Sequence, residues 1–262
     1  MSIFVGVGGW VYPDWRDNFY PKGLPQKREL EYAGTHLTAI EINGTYYGSQ
    51  KPESFRKWRE GTPDGFVFAV KGPRFATNRR VLAESGDPIQ KFFASGVTEL
   101  KEKLGPVNWQ FMATKKFDVA DFEAFLKLLP RKVDGLAIRH VVEVRHDSFK
   151  DAAFIALCRQ HGAGIVFAAD SEFPLIADVT ADFVYVRIMG TEAKEKLGYP
   201  VAVLKKWAER ARDWEKGESP KPSMLLAPAP PKKKRDVFLF VISGAKEKNP
   251  AAAQAIIAAL QE

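Results

Sequence analysis

Cysteine, histidine and every familiar nucleotide or nucleophile signature are scarce or missing in this chain. Cys158 is the one cysteine, which excludes an internal disulfide and suits a reducing compartment. It sits in a helical pattern with Phe154, Leu157 and His161, where a thiol is a core group and not a nucleophile. Histidine is limited to His36, His140, His146 and His161, with no HxH or HExxH spacing, so a histidine-rich metal centre is not expected. No GxGxxG follows the first apolar run, and no GxxxxGK[ST] or GxSxG occurs. Those absences argue against a nucleotide-binding turn and against covalent serine catalysis. No apolar stretch approaches the roughly 20 residues of a membrane span. The start, Met1 to Gly6, lacks the basic segment and hydrophobic run of a secretion signal. A soluble, cytoplasmic protein with no membrane partner is the expectation.

What is present fits one globular domain over residues 1–262, with 45% hydrophobic and 27% charged residues. The formal charge is +7. An excess of cations suits nucleic acid or an acidic small ligand, and it also serves solubility.

Apolar runs and amphipathic stretches alternate along the chain. Strands are expected at Ile3 to Gly9, Leu37 to Asn43, Phe66 to Lys71, Val107 to Met112, Val141 to His146, Gly164 to Asp170, Phe183 to Ile188 and Val237 to Ile242. Helices are expected at Leu24 to Ala33, Pro52 to Glu60, Asp118 to Leu129 and Pro200 to Lys216. Another opens at Asp87-Pro88 and runs until Gly105. Ser148 is a candidate N-cap for a helix to His161, and Asn249 for the last helix, through Leu260. Ser171 to Thr180 is the weakest helix, short and interrupted by Pro174. Eight strand-then-helix units of this length predict an α/β fold, a (β/α)8 TIM-type barrel with parallel strands and an irregular sixth helix. A doubly wound open sheet is the alternative.

In such a barrel the working groups sit at the C-terminal strand ends and the loops beyond. Those positions nominate Glu41, Lys71, Glu143 and Asp170 for chemistry, and Trp10, Asn43, Tyr47, Arg74, Arg145, His146 and Arg187 for binding. Glu143 and Arg145 are two apart, so they share a strand face. Two carboxylates across a mouth suit an acid/base pair or, with Asp170, an oxygen-rich metal site of the kind Mg2+, Mn2+ or Zn2+ takes. Lys71, Arg74, Arg145 and Arg187 suit a phosphate or carboxylate. Each charge taken singly is equally explained by a structural salt bridge. The run Lys232 to Arg235 reads as a basic loop, a nucleic-acid patch or a solvated segment.

Several motifs together resemble one family. Gly8-Gly9-Trp10 with Tyr12, Trp15 and Phe19-Tyr20-Pro21 resembles its GW…W…FYP signature. Glu41 to Tyr47 resembles EINxTFY, Phe66 to Lys71 resembles FxFAxK, and Leu104-Gly105-Pro106 with Gln110 resembles LGPxLxQ. Glu143 to His146 resembles ExRH, and Tyr185 to Arg187 resembles YVR. The set is similar to the DUF72, or YecE-like, family, and runs in order along nearly the whole chain. The resemblance implies a TIM-type barrel and a soluble bacterial or archaeal protein, and no established activity or cofactor. The chain departs from the family pattern at four mouth positions. Met112 follows Gln110-Phe111 where the family reads QLPP, and Met189 replaces the histidine of RLHG. Ser243 falls in the FNN position, and Asn78 stands for a frequent histidine.

Three functions are compatible with these residues. The first is a pocket that binds or transforms a small anionic or sugar/phosphate-like substrate by carboxylate acid/base chemistry. The second is a nucleic-acid-binding or accessory protein using the basic surface. The third is a catalytically degenerate barrel serving as a scaffold, which the four departures motivate.

Overall fold

The computed structural model describes residues 2–262. Eight strands close into one parallel barrel: β1 (Ile3–Gly8), β2 (Ala39–Ile42), β3 (Val67–Lys71), β4 (Leu104–Gln110), β5 (His140–Glu143), β6 (Gly164–Ala169), β7 (Phe183–Ile188) and β8 (Asp236–Val241). Each strand pairs with its sequence neighbours, and β1 closes against β8 with Phe4 opposite Phe238 and Val5 opposite Leu239. The (β/α)8 expectation therefore holds and the open-sheet alternative falls.

Seven helices of eight residues or more cover the outside among the described residues: α1 (Glu29–His36), α2 (Pro52–Glu60), α3 (Gly86–Ala94), α4 (Val119–Leu128), α5 (Ala152–His161), α6 (Val201–Glu215) and α7 (Asn249–Ala259). Strand residues alternate between two apolar clusters. One lies between strands and helices and includes Val5, Ile40, Phe68, Trp109, Val142 and Val186. The other fills the barrel, with Phe4, Ala39, Ala69, Val166, Tyr185 and Phe240.

Several local details differ from expectation. The helix expected from Asp87 to Gly105 stops at Ala94, because Gly96 takes a left-handed φ of 95° that ends it. Gly105 is no helix stop but lies inside β4. There the register with β3 moves from Phe68–Leu104 to Val70–Val107, so Gly105 and Pro106 together oppose one residue. The irregular sixth connection is as expected, and the described residues 171–180 form no helix at all. They pack Ile176, Ala177 and Val179 into the core as irregular chain, and Thr180 donates to the Ala163 carbonyl at 2.6 Å. Asp151, not Ser148, caps α5, and Asn249 is already helical.

Candidate functional site

The upper inside layer of the barrel is charged. Glu41 stands opposite Gly8 and Ala69 in the sheet, and Arg187 opposite Ala168 and Phe240. Small neighbours at Gly8, Ala69 and Ala168 leave the long side chains of Glu41 and Arg187 room to reach across the barrel. Lys71 stands opposite Asn108, and Gln110 opposite Glu143.

Arg187 is the bridge. Its two terminal nitrogens divide between carboxylates from different strands, NH1 donating to Glu143 Oε2 at 2.6 Å and NH2 to Glu41 Oε1 at 3.2 Å. Arg145 grips the other oxygen of Glu143 through Nε at 3.0 Å and NH2 at 2.7 Å. Its guanidinium lies 4.2 Å from the Phe173 ring centroid. Glu41 also accepts from the Tyr185 hydroxyl at 2.5 Å, and Asn108 donates to Glu143 at 3.2 Å and to Glu41 at 3.4 Å. Lys71 donates to Gln110 Oε1 and lies 5.5 Å from the Tyr46 ring centroid.

Glu41, Glu143, Lys71 and Arg187 are all buried. Burial raises the pKa of Glu143, but Arg187, Lys71 and Arg145 outweigh it and hold the carboxyl at about 2. Burial, reinforced by Arg187 and Arg145, pulls the Lys71 ammonium down to about 8 against the attraction of Glu143 and Glu41. Burial and the Glu41 carboxylate keep the Tyr185 hydroxyl protonated far above its ordinary range. Two carboxylates face three cations, an excess of one positive charge.

Above this layer opens a cavity of about 390 Å³. Lys71, Arg145, Arg187 and Lys246 line it, and among the described residues no carboxylate does. Asn43 and Gln110 add polar groups, and Tyr12, Tyr46 and Tyr47 add rings. Tyr47 is 64% exposed, so it forms the rim. Among the described residues Arg187 Nε and Asn108 Oδ1 are buried without a hydrogen-bond partner. Ser243 lines the same cavity at a φ of 66°, a strained conformation for a residue with a side chain.

The expected residues thus separate into groups. Glu41, Lys71, Asn43, Tyr47, Glu143, Arg145 and Arg187 converge, but Glu41 and Glu143 lie beneath the cavity rather than on its wall, taken up by the donors around them. Asp170 stands apart: it is exposed, takes a φ of 53° and accepts from the Tyr199 hydroxyl at 2.9 Å. Trp10 packs edge-on to Trp58 at 5.2 Å and lines a separate outer cleft along α1 and α2. Arg74 is exposed and covers Tyr47 and Phe75, 5.8 and 5.6 Å from their centroids. His146 is engaged by Ser148, whose Oγ lies 2.9 Å from Nδ1. Among the described residues no three His, Cys, Asp or Glu side chains converge as metal ligands. Asn108, Gln110 and Tyr185 were absent from the nominated site. Their signal is polar groups at alternate positions in otherwise apolar strands.

The departures from the family pattern also take places. Met189 is buried inside the barrel, Met112 is exposed, and Asn78 Oδ1 accepts from the Tyr46 hydroxyl at 3.4 Å. The run Lys232 to Arg235 enters β8 from the opposite face of the barrel. Lys232 pairs with Glu218, Lys233 and Lys234 are exposed, and Arg235 is buried. No helix among the described residues is long and apolar enough to cross a membrane.

A closed parallel (β/α)8 barrel with a cation-lined mouth above a buried carboxylate pair defines a TIM-barrel protein with a pocket at the usual end. The chain belongs to the DUF72 family, described as proteins of unknown function, whose profile matches residues 4–262. It is 30% identical over 150 residues to the UPF0759 protein YecE of Escherichia coli K12, a match covering 56% of this chain and 50% of that protein. The chain thus spans about half the length of the curated relatives it matches. Its fold matches that of the DUF72 family protein TM1631 of Thermotoga maritima with a TM-score of 0.73 at 20% identity, covering 100% of both chains. The DUF72 family protein EF0366 of Enterococcus faecalis gives 0.73 at 15% identity, covering 99% of this chain and 96% of that one.

Proposed function

We propose that the mouth binds a small anionic substrate, of the phosphate or carboxylate type, and transforms it by proton transfer through Lys71. The observation that carries this reading is the lining itself: four cations and, among the described residues, no carboxylate around about 390 Å³. That volume lies at the lower end of ligand pockets, about 300–1,000 Å³. Arg145, Arg187 and Lys246 hold the anion. Tyr46 and Tyr47 cover the remainder of the ligand.

The carboxylates take a different role from the one their types first suggest. Glu143, ionised down to about pH 2, is a poor proton donor near neutrality. It and Glu41 act as buried counter-ions that aim Arg145 and Arg187. Lys71, with its pKa near 8, is the group able to give and take a proton at working pH.

Thermal-shift titration with a panel of phosphorylated and carboxylated metabolites tests this reading. A subset is expected to raise the Tm in a saturable way. Lys246→Ala, at an exposed rim position outside the buried network, is expected to weaken that response about tenfold. A panel without any saturable response, or one that Lys246→Ala leaves unchanged, overturns it.

A further inference from the structure

The opposite, N-terminal face of the barrel holds another cavity, of about 700 Å³. It lies between the chain entering β5, the end of α5, the start of β7 and the chain entering β8. Arg131, Arg139, Arg159, Lys233 and Arg235 line it, against the single carboxylate of Asp182. Arg139 is already committed to Asp236, its NH1 donating to Oδ2 at 2.6 Å. Nearby Asp178 is occupied by the amides of Leu226 and Ala227, at 2.9 and 3.0 Å.

Three of the lining side chains carry buried nitrogens with no hydrogen-bond partner among the described residues. They are Nε and NH1 of Arg235, Nε and NH2 of Arg159, and Nε2 of His161. Arg235 is only 3% exposed and makes one side-chain hydrogen bond, from NH2 to the Pro231 carbonyl at 3.2 Å. Arg159 is 29% exposed and forms a loose ion pair with Asp178, NH2 lying 4.0 Å from Oδ1 and beyond hydrogen-bond reach. Its charge is matched, while its Nε and NH2 stay without a hydrogen bond among the described residues. A buried guanidinium without a counter-ion is costly, and burial accordingly lowers the Arg235 pKa. A purely structural arginine at this depth would be paired, as Arg187 is at the mouth.

We infer that this cavity is a second binding site, which takes a phosphate group through Arg159, His161 and Arg235, with Lys233 at its rim. Donors from three side chains suit an anion with at least three oxygens better than a two-oxygen carboxylate. The phosphate belongs either to a small phosphorylated molecule or to a nucleic-acid backbone, and exposed Lys233 and Lys234 extend the cationic surface outward from it.

Titration of the full chain with inorganic phosphate, followed by amide NMR, tests the site independently of the mouth. Gly162 and Asp182 line the N-terminal cavity, and their amides are the reporters. Saturable shifts at both are expected, with affinity reduced about tenfold in Arg235→Gln. If Arg235→Gln does not fold, Arg159→Gln and Lys233→Ala carry the same comparison. No saturable shift at these amides, or equal affinity in folded variants, overturns the proposal. Oligothymidylate of about 12 nucleotides forms the other arm. Competition with phosphate at the same amides, weakening steeply with salt, assigns the phosphate to nucleic acid. Phosphate binding without such competition assigns it to a small molecule.

Discussion

Arg187 NH1 lies 2.6 Å from Glu143 Oε2, at the centre of a buried network that joins β2, β5 and β7 across the barrel. The pair fixes the orientation of the cations above it, because each remaining oxygen of the two carboxylates has its own donor. Removing the negative partner leaves Arg187 buried with excess positive charge around it.

Glu143→Gln is therefore expected to cost about 3 kcal/mol at pH 7, the scale of breaking a buried pair from one side. The wild-type carboxyl titrates at about 2 in the folded state, below the value of about 4.3 of a free glutamate. A depressed folded pKa contributes stability above the unfolded value and loses it as pH falls. The gap between wild type and Glu143→Gln should thus hold above pH 5 and narrow from about pH 4 towards 2. Urea unfolding across this range checks both statements. A gap that stays constant with pH removes the ion-pair explanation.

Gly105→Ala acts on the site through the backbone. A Cβ there would stand 2.7 Å from Val67 Cγ1 and 3.1 Å from the Phe68 carbonyl oxygen. Strand β4 must shift to admit it, at about 1–3 kcal/mol for overpacking. Asn108 and Gln110 ride on the same strand, so anion binding at the mouth should weaken as well. Urea unfolding with a ligand titration measures the two effects. Wild-type stability in this variant would mean that the bulge is not tightly packed.

That bulge also marks where sequence reasoning stopped short. Position at the C-terminal strand ends nominates Glu41, Lys71, Glu143 and Arg187 as a set, and the fold brings them together. Gly105 looked like a helix stop because apolar spacing carries on through Val97 and Leu100, which are buried in 3-10 turns rather than in a helix. Asn108 and Gln110 alternate with the outward Val107 and Trp109, so strand phase alone turns them into the barrel. Asp170 follows Val166 and Ala168 in the inward phase, yet its positive φ and the Tyr199 hydroxyl take it elsewhere. Depth was the other unreadable quantity. Periodicity gives a face, but only the crossing of Arg187 over both carboxylates turns them from cavity walls into counter-ions.

Lys71 provides the pH signature of the mouth. Its folded pKa of about 8 lies below that of a free lysine, about 10.4. Between those values the unfolded chain binds more protons than the folded one, so this group makes stability rise with pH across the window. Tyr185 opposes it towards the alkaline end, because its raised folded pKa means stability is lost as pH rises beyond the ordinary tyrosine range. The difference between wild type and Lys71→Met isolates the lysine. Lys71→Met replaces a costly buried ammonium with an apolar side chain, so it is expected to be at least as stable as wild type at pH 7, with the advantage shrinking between about pH 8 and 10.4. Anion affinity follows the opposite sense. A bound anion favours the ammonium, so wild-type affinity should fall as pH rises through about 8, and Lys71→Met should bind weakly at every pH. Calorimetric titration with a ligand found by thermal shift, at several pH values, reads this directly. A wild-type affinity that is flat through pH 8, or a Lys71→Met variant that binds as tightly, would remove Lys71 from the site.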